Sequence, residues 1–135
     1  MSLITWNNSL QLGNKTIDTQ HQKLVDLINE LHDSMKAGKG KDQLGTTLTE
    51  LVNYTVYHFQ TEEKLFEQYG YPEKEGHKKI HTDLLQTAGK IKEDFDSGKI
   101  VLAMEVLDFL KKWLNDHILG SDKKSVNFLI SKGIN

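Results

Sequence analysis

The chain contains no cysteine. That absence removes disulfide staples, thiolate zinc sites and redox thiols together, and it leaves imidazole nitrogen and carboxylate oxygen as the side-chain ligands for any metal. It also fits a reducing compartment. Proline occurs once, and β-branched alternation is scarce, so the sequence offers little to build strands from. No run of about 18 apolar residues is present, as a bilayer-spanning helix would require. The opening residues, Met1-Ser2-Leu3-Ile4-Thr5-Trp6, have neither the basic start nor the apolar core of a secretory signal. A cytoplasmic protein with no membrane segment is expected. Charge of one sign is lacking too. The formal net charge is −2 with acids and bases interleaved, so there is no broad basic field for nucleic acid and no acidic tail. A length of 135 residues is about one domain on the usual scaling of surface with size. A single domain over residues 1–135 is expected, and no attached signalling domain is evident.

What is present is helical periodicity in four long segments, so the fold class is all-α. The first helix is expected to open at Thr19, where Thr19-x-x-Gln22 matches a capping box, and to run to the Gly38-Lys39-Gly40 break. Its inward stripe is His21, Leu24, Val25, Ile28, Leu31 and Met35. The second spans about Asp42 to Tyr69, with Leu44, Leu48, Leu51, Thr55, His58, Glu62, Leu65 and Phe66 on one side. Pro72 suits the first position of the third helix, which turns His77, Ile80, His81, Leu84, Ala88, Ile91 and Phe95 inward and ends at Ser97-Gly98. The fourth runs from about Val101 to Leu119, with Ala103, Val106, Leu110, Trp113 and His117 inside and Gly120 as its stop. Short loops between four helices imply an antiparallel up-down-up-down four-helix bundle. An extended N-terminal arm should pack along it through Leu3, Trp6 and Leu10. A short C-terminal helix should carry Val126, Phe128, Leu129 and Ile130.

Five of the six histidines fall with two acids into a pattern: His21, His58-x-x-x-Glu62, His77-x-x-x-His81 and His117-x-x-x-x-Asp122. Residues four apart share a helix face at about 6 Å, so each i,i+4 pair can offer two ligands to one small volume. His117 and Asp122, five apart, would be turned about 140° from each other on a regular α-helix. A loosening of the helix at Gly120 would bring Asp122 back toward the axis. In an antiparallel bundle all four groups lie toward one end. His32 shares the phase of His21 but sits roughly 16 Å along the helix, too far to join the set.

Two six-coordinate metals need about twelve ligand positions, of which five histidines and two bridging carboxylates supply nine. A solvent-derived bridge supplies two more, leaving one vacancy. It is expected inside an apolar pocket of Leu24, Ile28, Phe59, Trp113 and Ile118, open to a small uncharged molecule. An isolated His-x-x-x-Glu is most often an ordinary polar pair. It is the conjunction of the four groups that points to metal.

Trp6, the Ile17-Asp18-x-Gln20-His21 run and the three paired spacings resemble the hemerythrins, and the single-domain bacterial branch in particular, over essentially the whole chain. That resemblance implies a four-helix bundle with a non-haem di-iron centre, two iron ions joined by an oxo or hydroxo bridge, which binds O2 reversibly. By position, His77, His81 and His117 would fill one iron, His21 and His58 would hold the other, and Glu62 and Asp122 would bridge them. O2 would enter the vacancy on the two-histidine iron and be held there as a hydroperoxide. One departure is visible: Ser125 stands where an aromatic residue is frequent in the bacterial members.

Three functions compete. The first is an oxygen carrier or store, not an enzyme, expected as a monomer. The second is a di-iron oxidase or peroxidase, or a sensor of O2 or redox state. The third is a zinc or purely structural bundle. Ferritin-like di-iron oxidases use carboxylate-rich ligation with Glu-x-x-His, whereas this set is nitrogen-rich. A structural zinc site closes at four ligands, and seven are present here. O2 binding ranks first.

Overall fold

The computed structural model describes residues 3–38, 40–98 and 104–134. All regular structure among them is helical: α1 Lys15–Lys36, α2 Lys41–Tyr69, α3 Lys74–Asp96, α4 Met104–His117 and α5 Lys123–Ser131, with a single 3-10 turn at Asn8–Leu10. Val101 and Ala103, expected in the fourth helix, lie outside the described residues, as does Lys39 of the first break.

Helix α1 starts four residues earlier than the capping-box reading. Asn14 is the cap, its side-chain oxygen accepting the Ile17 N–H at 3.0 Å, a role in which asparagine is among the best residues. Asp18 then accepts the N–H groups of Leu12 and Gly13 at 2.8 and 3.0 Å, tying the arm to the first turn. Thr19 is already inside the helix, its hydroxyl donating to the Lys15 carbonyl at 2.8 Å. Further along the arm, the Ile4 N–H donates to the Asn29 side chain at 2.9 Å, and that side chain donates back to the Ile4 carbonyl at 2.8 Å. Leu10 is buried, while Leu3 and Trp6 pack against the core from partly buried positions. The arm therefore lies along the bundle, as expected.

Helix α2 ends at Gly70, whose φ of 68° is the left-handed cap conformation that glycine adopts without steric cost. Pro72 does not begin α3. It follows Tyr71 in a turn closed by the Lys74 N–H on the Tyr71 carbonyl at 3.2 Å, a position where its fixed φ is equally favourable. Gly120 does not stop the fourth helix either. Residues Ile118–Asp122 form a π-helical turn that leads without a break into α5.

The packing is antiparallel throughout. Gln20 near the start of α1 meets His58 and Thr61 late in α2, and Glu63 of α2 meets His81 early in α3. At the other end, Gly45 near the start of α2 faces Phe95 at the end of α3; back at the first end, His117 closing α4 lies beside His77 opening α3. The result is the up-down-up-down helical bundle. Its main core includes Leu24, Ile28, Leu31, Leu48, Leu51 and Leu107. A second cluster of Ile17, Val126 and Leu129 seats α5 under the start of α1. Each fully buried aliphatic or aromatic side chain of this kind contributes about 1.5–3 kcal/mol. Ile80, expected inside, is 38% exposed, because α3 turns its narrow buried edge inward through His77, His81 and Leu84. No helix among the described residues is long and apolar enough to cross a membrane.

Candidate metal centre

Each of the seven side chains singled out by spacing comes from a helix whose own register delivers it. His58 and Glu62 share one face of α2, and their atoms Nε2 and Oε1 lie 3.1 Å apart. His77 and His81 share one face of α3, with ring centroids 4.5 Å apart. His117 reaches Asp122 because the π turn adds a residue to the winding. In a π-helix the i and i+5 positions are the ones that pair, and His117 Nε2 stands 3.0 Å from Asp122 Oδ1. Asp122 also meets His77 Nε2 at 3.0 Å and His21 Nε2 at 2.9 Å. Glu62 meets His81 Nε2 at 3.4 Å.

All seven converge at one end of the bundle, and they sort into two groups. Glu62, His77, His81, His117 and Asp122 can direct one ligand atom each into one volume, with the atoms within 4.8 Å of one another. His21, His58, Glu62 and Asp122 do the same for a second. The two carboxylates belong to both groups. His32, although buried, is in neither.

The donor set is left unsatisfied by the protein itself. The Nε2 atoms of all five histidines and all four oxygens of Glu62 and Asp122 are buried without a hydrogen-bond partner. With the imidazoles neutral and protonated at Nδ1, these nine atoms are all acceptors facing one another, an arrangement that a shared proton or a cation relieves. These residues fit a divalent cation pair: borderline nitrogen donors and hard oxygens, converging and otherwise unpaired. The electrostatics agree. Burial and the neighbouring Asp122 push Glu62 upward, but His58 and His81 outweigh them and bring it down to about 2. Burial likewise raises Asp122, and His117, His21 and His77 hold it well below the ordinary carboxylate range. Both acids are anions at neutral pH.

Behind the ligand atoms lies a supporting layer that the sequence reading did not assign. His58 Nδ1 is 2.7 Å from Gln20 Oε1, and the Gln20 amide nitrogen donates to the Thr61 hydroxyl at 3.3 Å, which fixes the amide's orientation. His81 Nδ1 is 3.0 Å from Glu63 Oε2. A proton on Nδ1 donated to these oxygens leaves the Nε2 lone pair free for a metal. Rings complete the layer. Phe59 stacks on His81 at 3.7 Å and 5°, Trp113 on His117 at 4.5 Å and 17°, and Phe66 tilts against His77 at 4.8 Å. Ser125, in the position noted as unusual, is fully buried and donates to the Asp122 carbonyl at 2.9 Å, so a small polar residue fits the inner side of α5.

About one helical turn from the ligands, a partly open apolar cavity is lined by Leu24, Ile28 and Trp113, three of the five residues expected around the vacancy, but not by Phe59 or Ile118. Phe59 is occupied by its stack on His81, and Ile118 is fully packed into the core.

The Hemerythrin HHE cation binding domain model matches residues 12–129. The bacteriohemerythrin of Pseudomonas aeruginosa is 36% identical over 122 residues, covering 90% of this chain and 78% of that protein. That of Methylococcus capsulatus is 30% identical over 125 residues, covering 91% of this chain and 94% of that one. A crystal structure of wild-type hemerythrin superposes with a TM-score of 0.85 at 30% identity, over 90% of this chain and 94% of the other. Bundle, converging ligand set and sequence kinship agree: the chain belongs to the hemerythrin family.

Proposed function

We propose that the protein binds O2 reversibly, as a carrier or store, at two irons joined by an oxo or hydroxo bridge. His77, His81 and His117 would hold one iron, His21 and His58 the other, and Glu62 and Asp122 both. The observation that carries this reading is the unequal division of the donors: three imidazoles in one group, two in the other, two shared carboxylates. That inequality leaves the two-histidine metal with the free position. When bound, the iron pair supplies the two electrons that O2 takes up on binding and returns on release.

The chain's own residues hold the site and keep it dry. Gln20 and Glu63 hold the imidazoles of His58 and His81 in the metal-binding tautomer. Phe59 and Phe66, 1% and 0% exposed, exclude water beside the ligands, which suppresses the escape of reduced oxygen species. The nitrogen-rich donor set supports carriage over oxidase chemistry, and kinship with proteins named bacteriohemerythrin supports O2 as the ligand. The test is anaerobic reduction of the iron-loaded protein followed by O2 titration. A visible absorption band should appear with O2 and vanish under vacuum. A band that fails to reverse, or bound iron well below about two per chain, would overturn the reading.

A further inference from the structure

Helix α4 has a free outer side. Phe109 on α4 and Leu119 in the π turn that continues it are 42% and 44% exposed, and Ile80 of α3, 38% exposed, shares a solvent-open groove with Phe109 and Trp113. Large apolar side chains exposed singly are ordinary, whereas several gathered beside one groove mark a surface that meets another molecule. His117 also lines the groove, so its floor reaches the metal centre.

The charges on this face are self-complementary. Lys112 and Asp116 are both exposed. Their i,i+4 spacing is that of Lys79 with Asp83 and Lys90 with Asp94, which close on each other within α3 at 3.7 and 3.3 Å. Neither Lys112 nor Asp116 makes an ion pair among the described residues. The order along the stripe is symmetric: Lys112 and Asp116 stand two residues either side of Leu114, and Phe109 and Leu119 stand five. All four fall within about a third of the helix circumference. Two such stripes laid antiparallel, with a two-fold axis at the level of Leu114, set Lys112 against the partner's Asp116 and Phe109 against the partner's Leu119. A two-fold interface makes each of these pairings twice. A partner of one charge sign would instead meet a like charge at one of the two positions.

We propose that the protein forms a homodimer through this face of α4, with Ile80 at its margin, in place of the monomer expected from the sequence. Association covers the groove and shields Trp113 and His117 from solvent. It does not depend on the O2-binding reading. One helix face is small beside a standard interface, so the dimer is weak and concentration-dependent, and salt loosens its exposed ion pairs.

The test is sedimentation velocity of the full, iron-loaded chain from about 1 μM to 1 mM. The sedimentation coefficient should climb from the monomer toward the dimer value across the series, and climb less in high salt. Lys112→Asp and Asp116→Lys each set like charges across the axis, which interfaces strongly disfavour, and each should weaken self-association by about tenfold or more. Mixed together, the two variants regain both attractive pairs and should associate as well as the unaltered chain. Phe109→Glu should abolish the dimer and leave metal content unchanged, and the charge variants decide alone if it does not fold. A chain that stays monomeric throughout, or a mixture no more associated than either variant by itself, overturns the proposal. Dimerisation that survives Phe109→Glu overturns it too, because the interface then lies elsewhere.

Discussion

The two ligand groups are built to different standards. The three-histidine group is caged: Phe59 stacks on His81, Trp113 on His117, and Phe66 leans on His77, while an anionic oxygen of Glu63 braces His81. The two-histidine group has thinner support. His58 is braced by the neutral amide of Gln20, and His21 Nδ1 is buried with no partner. Imidazoles whose outer nitrogen faces a carboxylate are more basic ligands than those facing an amide. The three-histidine position should therefore bind metal more tightly and rigidly, and the two-histidine position should be the adaptable one. An O2 carrier needs that asymmetry, because one metal must change its coordination while the other holds still.

The largest effect should come from erasing the asymmetry altogether. Asp122 touches His21, His77 and His117 and belongs to both groups, so Asp122→Ala should strip metal from both positions. Metal analysis after dialysis should find close to none, and retention of one full equivalent would show that the groups do not share this carboxylate. Next in size is the separation of the two. His21→Ala should cost the two-histidine metal while its neighbour stays, and His81→Ala should cost the three-histidine metal first. Equal loss in both variants would argue that the pair binds as an indivisible unit.

Much of this convergence is legible in the sequence, for a physical reason. His58 with Glu62 and His77 with His81 lie four apart, the spacing a helix turns into one face. The His117–Asp122 spacing is legible only in part. Gly120 signals a departure from the α-helix, but not that a π turn would carry the chain straight on into α5. Gln20 and Glu63 each sit one residue from a ligand, where periodicity assigns them to a different face, and only the neighbouring helix shows what they support. The start of α1 is ambiguous because Asn14 and Thr19 are both credible caps. The backbone N–H groups that Asp18 collects come from Leu12 and Gly13, six and five residues upstream, outside the span of a four-residue capping motif.

Protons offer a third, smaller probe of the same contrast, in the metal-free chain. Glu62 is lowered from 4.5 to about 2, so its contribution is fully present above pH 4.5 and is lost as pH falls through about 2. His77 moves the other way. Burial, the largest single influence, pulls it down, but the hydrogen bond to Asp122 and the charges of Glu62, Asp122 and Glu63 together outweigh it and raise it above 6.5, so its contribution is full below 6.5 and lost as pH rises through the higher folded value. Thermal melts of chelator-treated protein should therefore show greatest stability between about pH 4.5 and 6.5. Metal should abolish the alkaline decline, since a divalent cation replaces the proton between imidazole and carboxylate. A decline that persists with both metals bound would place its cause elsewhere than His77.

The smallest expected effect tests the brace itself. If the negative charge of Glu63 is what tightens the three-histidine position, then Glu63→Gln, which keeps shape and hydrogen bonding, should weaken metal binding there by on the order of tenfold, toward the low end of what such supporting partners are worth. Glu63 is about one-third exposed, so solvent screens part of its charge and a larger loss is not expected. Gln20→Glu should do the opposite, tightening the two-histidine position by making His58 a stronger donor. Chelator competition at a constant pH near 7 reads both. If the two substitutions shift affinity in the same direction, charge is not the operative difference. The asymmetry would then rest on the rings of Phe59, Phe66 and Trp113, which hold three imidazoles in place and leave His21 without such a neighbour.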